Sequence, residues 1–468
     1  MPNFTRRNFL QGCSYAIASM AGARLSNLAF SAQNDTDTLV VVFLRGAWDS
    51  LNVVPPIDGD DRGLYEKARP NIKIPVDSLL RLNDQFGLHP ALSPLYDLYQ
   101  QGKMAVVHAT GLDVDTRSHF DAQEFIELGT PGVRNTATGW ITRHLQSTPS
   151  GSTGLVPAVS TNGLPSALLN YTPAVSMTTP SDLSQWDNGT AVQQKEALRK
   201  MYGGNTLLEQ VGRRTLDALD LVQPLVGQDY VPSNGASYND DDFGRQLQTV
   251  AQMIKLEQGL QVATVDFGGW DTHEYQNDGA GGYMAGLLSS LGSGLANFHL
   301  DLDSGYTDRL SVVVVSEFGR RLVQNDSLGT DHGHGSVMLA LGGGVNGGQV
   351  FGPWPGLNNE QLYDHADLAV TTDFRQVLAR CRRRCRGSRR APQCPLARTR
   401  RRPRSRPRRQ SGAAHAARVV GRPCSGSFRV GRAARRLAAP PSIILQRARR
   451  AALPARAPRT PASSAPAP

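Results

Sequence analysis

The segment that most constrains the fold of this chain lies between residues 310 and 348. Residues 310–315 are apolar and mostly β-branched, which is the pattern of a strand buried on both faces of a sheet. Glu317 follows this run almost directly, and a polar loop then leads to Asp331, His332 and His334. A second apolar run, residues 337–341, ends at a stretch of glycines. The pattern predicts two buried strands with acid and imidazole groups placed between them.

The rest of the chain alternates between strand and helix periodicities. Strands are predicted at residues 38–44, 104–108 and 262–267, and helices at residues 88–102, 121–128, 206–225, 243–260 and 283–302. Strand, helix and strand in this order favour an α/β fold, namely a doubly wound, mostly parallel sheet with helices on both faces. Residues 148–185 are rich in Ser, Thr, Pro and Gly, and we expect an insertion of short strands and loops there.

Acid and imidazole side chains recur at the predicted strand ends. They are Asp49, Asp271, His273, Glu317, Asp331, His332 and His334. A single Asp after a strand is commonly a turn or capping residue, and a lone His is commonly an ordinary hydrogen-bonding residue. Ligands of open α/β sheets bind outside the carboxyl ends of the strands, and mixed oxygen and nitrogen donors suit zinc, manganese or a similar divalent ion. The recurrence therefore favours a site for one or two such ions, and two ions could clamp both oxygens of an in-line displacement.

Residues 117–125, RSHFDAQEF, place Ser118 at or just before a predicted helix N-terminus. Unpaired backbone N–H groups there favour an anion, and a nearby metal ion could deprotonate the hydroxyl group. Ser118 is therefore a candidate nucleophile, and the alternative is that it only caps the helix. His119, Asp121 and Glu124 could add ligands or an acid/base group, and the sequence does not choose among them.

The first 32 residues have the pattern of a twin-arginine signal peptide. Arg6 and Arg7 precede Phe9 and Leu10, a moderately apolar run follows at residues 13–23, and small residues near position 31 could form a cleavage site. The pattern predicts delivery by the twin-arginine export machinery to the periplasm or the exterior. The apolar run is too short to span a bilayer stably, so we expect no membrane span after signal cleavage.

The composition changes abruptly near residue 380. Residues 381–468 contain 25 of the 50 basic residues, all of them Arg, and none of the 40 acidic ones. A segment of this composition cannot bury enough apolar surface to fold, so we predict an α/β domain over residues 36–379 and a disordered tail over 380–468. The abrupt change favours a frame-shifted translation of a GC-rich gene. The alternative is a nucleic-acid-binding arm, but we expect no nucleic-acid partner for an exported protein.

The chain resembles the bacterial exported family of domain of unknown function 1501. The resemblance covers roughly residues 5–379, and its most specific motifs are TRRNFL, FLRGAWDSLN, LHPALSPLY, RSHFDAQEF, TGWITRHL, GGWDTH, SEFGRRLVQN, GTDHGHG and GGGVNGG. That family is similar in fold to the alkaline phosphatase and sulfatase superfamily. The resemblance implies that Asp49 binds one metal ion and that Ser118 lies near the position of the nucleophile.

The resemblance also implies roles for the later motifs. Asp271 and His273 resemble the Asp and His that bind the other ion, and His334 resembles the final His ligand. Glu317 stands where the superfamily has an Asp followed directly by His, but Phe318 replaces that His. One ion is thereby short of a ligand unless Asp331 or His332 supplies it.

Two functions follow as hypotheses. The first is a metal-dependent hydrolase in which Ser118 attacks a small-molecule phosphate or sulfate ester. The second is a non-catalytic, metal-stabilised binding protein of the cell envelope, whose partner the sequence does not identify.

Overall fold

The computed structural model describes residues 37–147, 154–183, 190–276, 280–303, 305–343 and 345–380. The predicted signal peptide and, apart from residue 380, the predicted tail lie outside these ranges. No helix among the described residues is long and apolar enough to cross a lipid bilayer.

The described residues form thirteen β-strands and ten α-helices. The strands are β1 Thr38–Leu44, β2 Leu80–Arg81, β3 Gly87–Leu88, β4 Met104–Gly111, β5 Ala158–Ser160, β6 Ala174–Ser176, β7 Val262–Phe267, β8 Leu310–Ser316, β9 Arg320–Gln324, β10 Thr330–His332, β11 Ser336–Leu341, β12 Gln349–Phe351 and β13 Thr372–Asp373. The α-helices are α1 Ser50–Val53, α2 Gly59–Ala68, α3 Ser93–Gln100, α4 His119–Leu128, α5 Trp140–Gln146, α6 Ala191–Met201, α7 Leu207–Val222, α8 Asp242–Lys255, α9 Gly282–Asp301 and α10 Phe374–Arg380.

A central sheet of nine strands organises the described residues. Its order is β12-β4-β11-β8-β1-β7-β5-β6, and β13 also pairs with β4. All neighbours are parallel except at β11, which runs antiparallel to both β4 and β8. The predicted mostly parallel α/β sheet is confirmed.

Helices cover both faces of this sheet. In β1, Val40, Val42 and Leu44 pack into one hydrophobic cluster with α3, α8 and α9. The alternating residues Leu39, Val41 and Phe43 pack into a second cluster with α4, α5 and α10. Because successive strand side chains point to opposite faces, a strand buried on both faces must be apolar throughout. Full burial of one such side chain stabilises the fold by about 1.5–3 kcal/mol.

Two parts of the sequence-based topology need correction. The short strands expected within residues 148–185 are present as β5 and β6, but they extend the main sheet beyond β7 and do not form an insertion outside it. The loop expected after Glu317 contains a two-stranded antiparallel sheet, β9 and β10. Both errors concern strands of five residues or fewer, which are too short to show a clear periodicity.

Candidate metal centre

The candidate ligands meet at one edge of the sheet because of the strand order. Strands β8, β1 and β7 are adjacent and parallel, so their carboxyl ends lie together. Strand β11 is antiparallel to β8, so it begins at the edge where β8 ends. The loops after β1, β7 and β8 and the segment before β11 are therefore neighbours.

Three imidazole rings surround the carboxylate of Asp271. One of its oxygens, Oδ1, lies 3.3 Å from Nε2 of His119, 3.2 Å from Nε2 of His332 and 3.1 Å from Nε2 of His273. The Nε2 atoms of His273 and His332 are 2.9 Å apart. The ligand atoms of His119, Asp271 and His332 all lie within 4.8 Å of one another, and His273 lies against two of them.

Each ring is fixed through its other nitrogen. Nδ1 of His119 lies 2.8 Å from Oε1 of Glu317, Nδ1 of His332 lies 2.7 Å from the carbonyl oxygen of Arg117, and Nδ1 of His273 lies 3.3 Å from Oδ1 of Asp331. With the proton on Nδ1, donated to these acceptor oxygens, each neutral ring would leave its Nε2 lone pair facing the shared carboxylate oxygen, as a metal-binding histidine does.

This donor set fits a divalent cation. Nε2 of His119 is buried and has no hydrogen-bond partner among the described residues, and an unpaired buried polar atom is costly. A tetrahedral zinc site with bonds of about 2.0–2.1 Å has ligand-to-ligand distances of about 3.3 Å, close to the separations observed. The Nδ1 contacts to oxygen atoms are those that hold metal-binding histidines in place in proteins.

A buried arginine fixes the charge of the central carboxylate. Nη2 of Arg320, whose side chain is fully buried, donates to Oδ1 of Asp271 at 2.6 Å. The same guanidinium group donates to the carbonyl oxygens of Ala47 and Thr330. Burial would raise the pKa of Asp271, but Arg320 outweighs it, and the pKa falls to about 2. Asp271 is therefore ionised at neutral pH.

Glu317 orients a ligand instead of joining the group. Its Oε1 accepts hydrogen bonds from Nδ1 of His119, Nε2 of Gln123 and the backbone N–H of Gly46, each at 2.8 Å, and its Oε2 accepts one from Ser316. Burial would raise the pKa of Glu317, but the His119 and Gln123 hydrogen bonds outweigh it and hold the pKa below its usual range. The hydrogen bond from His119 to Glu317 in turn raises the pKa of His119.

Gly46 allows this approach of two loops. Its φ of +117° lies in the region that favours glycine, and a Cβ atom here would lie 2.5 Å from the backbone nitrogen of Asp271. A side chain at position 46 would thus push the Asp271 loop away from β1.

Phe318 forms an apolar wall of the cluster. Its ring is buried, stacks on His119 with a centroid separation of 5.1 Å, and lies the same distance from the ring of His332. Phe318 therefore supplies packing against two imidazoles and no ligand atom.

Asp49 lies in a different environment from the one expected of a ligand. Its carboxylate forms an ion pair with Arg69, with Oδ2 and Nη1 2.5 Å apart and both side chains fully buried. The same oxygen accepts a hydrogen bond from Gln276 at 2.6 Å. Asp49 is not part of the group of mutually close ligand atoms formed by His119, Asp271 and His332.

His334 and Asp331 are also outside the group of mutually close ligand atoms. The His334 ring is buried and stacks on Tyr363 at 4.0 Å, and burial lowers its pKa. Asp331 contacts the Nδ1 atom of His273, on the side of that ring away from Asp271, and accepts a hydrogen bond from Asn325. Neither residue contributes to the group of mutually close ligand atoms.

Ser118 caps α4, as the alternative interpretation predicted. Its Oγ accepts a hydrogen bond from the backbone N–H of Asp121 at 3.4 Å, and its side chain is exposed. The helix it caps begins at His119 and ends at Leu128, and Gly129, whose φ is +68°, caps its carboxyl end. A nucleophilic role for Ser118 stays a prediction.

A family model described as "Protein of unknown function (DUF1501)" matches residues 36–390. The chain belongs to this family. No curated protein matches it. A solved structure described as "Crystal structure of Ps i-CgsB" aligns at 10% identity over 68% of this chain and 68% of that chain, with a TM-score of 0.30, too low to show a shared fold.

The centre of this DUF1501 protein includes two residues that sequence reasoning did not select. His119 was one of three candidates in its segment, and the structure separates it from Asp121 and Glu124, which both pair with Arg134. Arg320 was not considered. Its position three residues after Glu317, within a strand-edge motif rich in candidate ligands, is the signal that could have identified it.

Proposed function

We propose that this protein holds one divalent ion, such as zinc or manganese, and hydrolyses phosphate or sulfate esters. The ligands are His119, Asp271 and His332, with His273 as a fourth. One observation carries the proposal: three imidazoles, each held through Nδ1, direct Nε2 toward one carboxylate oxygen. The grouped ligands suffice for one ion, and Asp49 lies outside that group.

The surroundings of the ligands suit an anionic ester. The side chains of Asp271 and His273 are 48% and 42% exposed, so a small molecule can reach them. His119 is the first residue of α4, and the unpaired N–H groups of a helix N-terminus favour phosphate or sulfate. A bound divalent ion would polarise the ester oxygen and stabilise negative charge at the reacting centre.

Ser118 is the proposed nucleophile. It directly precedes His119, its hydroxyl is exposed, and it lies at the same helix N-terminus. The chain's own residues thus place a hydroxyl, an anion-attracting helix end and a cation-binding group within one short segment. In fold, we propose a likeness to the alkaline phosphatase and sulfatase superfamily, and in location, export by the twin-arginine pathway to the periplasm or the exterior.

A second candidate is a non-catalytic, metal-stabilised binding protein of the cell envelope. Four protein ligands fill a tetrahedral ion completely, as in structural zinc sites, whereas catalytic sites keep a position open. The close contact of His273 with both Asp271 and His332 favours this closed arrangement.

The experiment is metal analysis of the purified protein, followed by hydrolysis of model phosphate and sulfate esters with and without chelator. Bound metal with chelator-sensitive turnover that Ser118→Ala abolishes supports the hydrolase. Bound metal without turnover, in both the wild type and His273→Ala, supports the binding protein. A chain that takes up no zinc or manganese contradicts both.

A further inference from the structure

Asp49 and Arg69 form an ion pair in the interior of the protein. Both side chains have no exposure to solvent. Two charges removed from water carry a desolvation cost that is large compared with that of a well-packed apolar pair. A buried pair of this kind is best explained by the groups it holds in place.

Arg69 binds the strand that carries Arg320. Its Nε donates to the carbonyl oxygen of Leu322 and its Nη2 to that of Arg321, both at 2.8 Å. These carbonyl groups belong to β9, immediately after Arg320, which holds the Asp271 carboxylate. The position of β9 relative to β1 is therefore set in part by the Asp49 and Arg69 pair.

Gln276 connects the same carboxylate to the loop of Asp271 and to β10. Its Nε2 donates to Oδ2 of Asp49 at 2.6 Å, and its Oε1 accepts from the hydroxyls of Thr272 at 2.7 Å and Thr330 at 3.0 Å. Thr272 follows Asp271 directly, and Thr330 lies two residues before His332. One glutamine side chain thus spans both ligand-bearing segments.

We infer that Asp49 is a positioning residue. Through its contacts with Arg69 and Gln276 it holds the Asp271 loop and the β9–β10 hairpin in place relative to β1, and this connection is called the tie below. The tie fixes the mutual distances of Asp271, His273 and His332 before any ion binds. This inference rests on the proposed metal centre for its consequence, but the tie itself is a property of the metal-free chain. The aspartate that follows β1 thus acts on the site through other residues.

The test compares three variants of the full chain. Gln276→Met keeps the ion pair and removes the link between segments, and Asp49→Asn removes the charge. Asp301→Asn is the matched control, since Asp301 is also fully buried and accepts from Lys255, Tyr230 and Tyr238. Amide hydrogen exchange is measured without metal, and zinc affinity and the visible spectrum of the cobalt form are measured afterwards.

We expect exchange at residues 272–276 and 320–332 to quicken at least about tenfold in Gln276→Met and Asp49→Asn, and not in Asp301→Asn. We expect zinc affinity to fall by about 10–100-fold, as for other groups that orient ligands, with an altered cobalt spectrum. If Asp49→Asn does not fold, Gln276→Met decides. The inference is overturned if a folded variant exchanges its amide hydrogens at the wild-type rate in both segments. It is also overturned if exchange is faster than in the wild type but zinc affinity is unchanged. A wild type that binds no metal refutes the proposed function, while the exchange comparison still decides whether the tie exists.

Discussion

Replacement of Glu317 by Gln tests whether this carboxylate acts by orienting His119. The amide oxygen of Gln can take the place of Oε1 and still accept from Gly46, Gln123 and His119. Its NH₂ group would then face Ser316 Oγ, which can accept once its single hydroxyl proton is donated to the carbonyl oxygen of Leu44 instead of to residue 317. The substitution therefore removes a charge while it preserves the hydrogen-bond pattern.

The expected magnitudes follow from this geometry. Hydrogen bonds to a charged group contribute about 1.5–3 kcal/mol and neutral ones about 0.5–1.5 kcal/mol, so three bonds lose roughly 3 kcal/mol in total. Part of this loss is offset because a neutral amide costs less to bury than a carboxylate. We expect a free energy of unfolding lower by about 1–2 kcal/mol, and a metal affinity lower by about 10–100-fold because a less basic His119 binds the ion more weakly.

The assay is zinc titration with a competing chelator, alongside urea unfolding of the metal-free protein. Glu127→Gln is the control, because Glu127 is also mostly buried and charge-paired, with Arg45, but contacts no ligand. We expect Glu127→Gln to lower stability and leave zinc affinity unchanged. Wild-type zinc affinity in a folded Glu317→Gln protein would refute the orienting role.

Four further predictions concern separate parts of the chain. Asp271→Asn should abolish zinc binding and with it the rise in melting temperature that zinc causes. In the wild type, zinc at 100 times its Kd should raise the free energy of unfolding by about 2.7 kcal/mol. Calorimetry with and without zinc measures both effects. Ser118→Ala should cost about 1 kcal/mol through loss of the helix cap and remove any ester turnover, whereas unchanged turnover would exclude Ser118 as nucleophile. Burial would raise the pKa of Asp301, but the hydrogen bonds from Lys255, Tyr230 and Tyr238 outweigh burial and lower the pKa. The ionised Asp301 carboxylate therefore stabilises the fold above about pH 4, and this stabilisation is lost as pH falls through the folded-state pKa. Urea midpoints measured from pH 6 to pH 3 should therefore fall less steeply in Asp301→Asn than in the wild type. Arg6→Lys combined with Arg7→Lys should retain the protein in the cytoplasm, and fractionation that finds it exported would contradict the signal-peptide prediction.

The sequence predicts the sheet far better than it predicts the site. Strands β1 and β8 are recognisable because burial on both faces requires continuous apolar runs, and β7 matches its predicted bounds, residues 262–267. The order of neighbours, with β8 next to β1 and β1 next to β7, does not follow from strand–helix alternation, which predicts only that the strands are mostly parallel. Short strands such as β5 escape prediction because their pairing depends on partners distant in sequence.

The roles of individual site residues depend on such distant partners. Glu317 was correctly placed at a strand end, but its role is set by His119, 198 residues away in the chain. Asp49 was chosen as a ligand because it follows a strand, and nothing in its local sequence shows that Arg69 neutralises it. His119 could not be preferred over Asp121 because only tertiary structure pairs Asp121 with Arg134.

The separation of the ligands along the chain determines when the site can form. His332 lies 61 residues after Asp271, and His119 comes before β5, β6 and β7 have been made. An unfolded chain holds these groups far apart, and the entropy of closing such long loops opposes chelation. Metal uptake should therefore follow completion of the central sheet, so that the metal content of a preparation measures its folded fraction. A chain whose export requires prior folding would in this way carry its ion with it across the membrane.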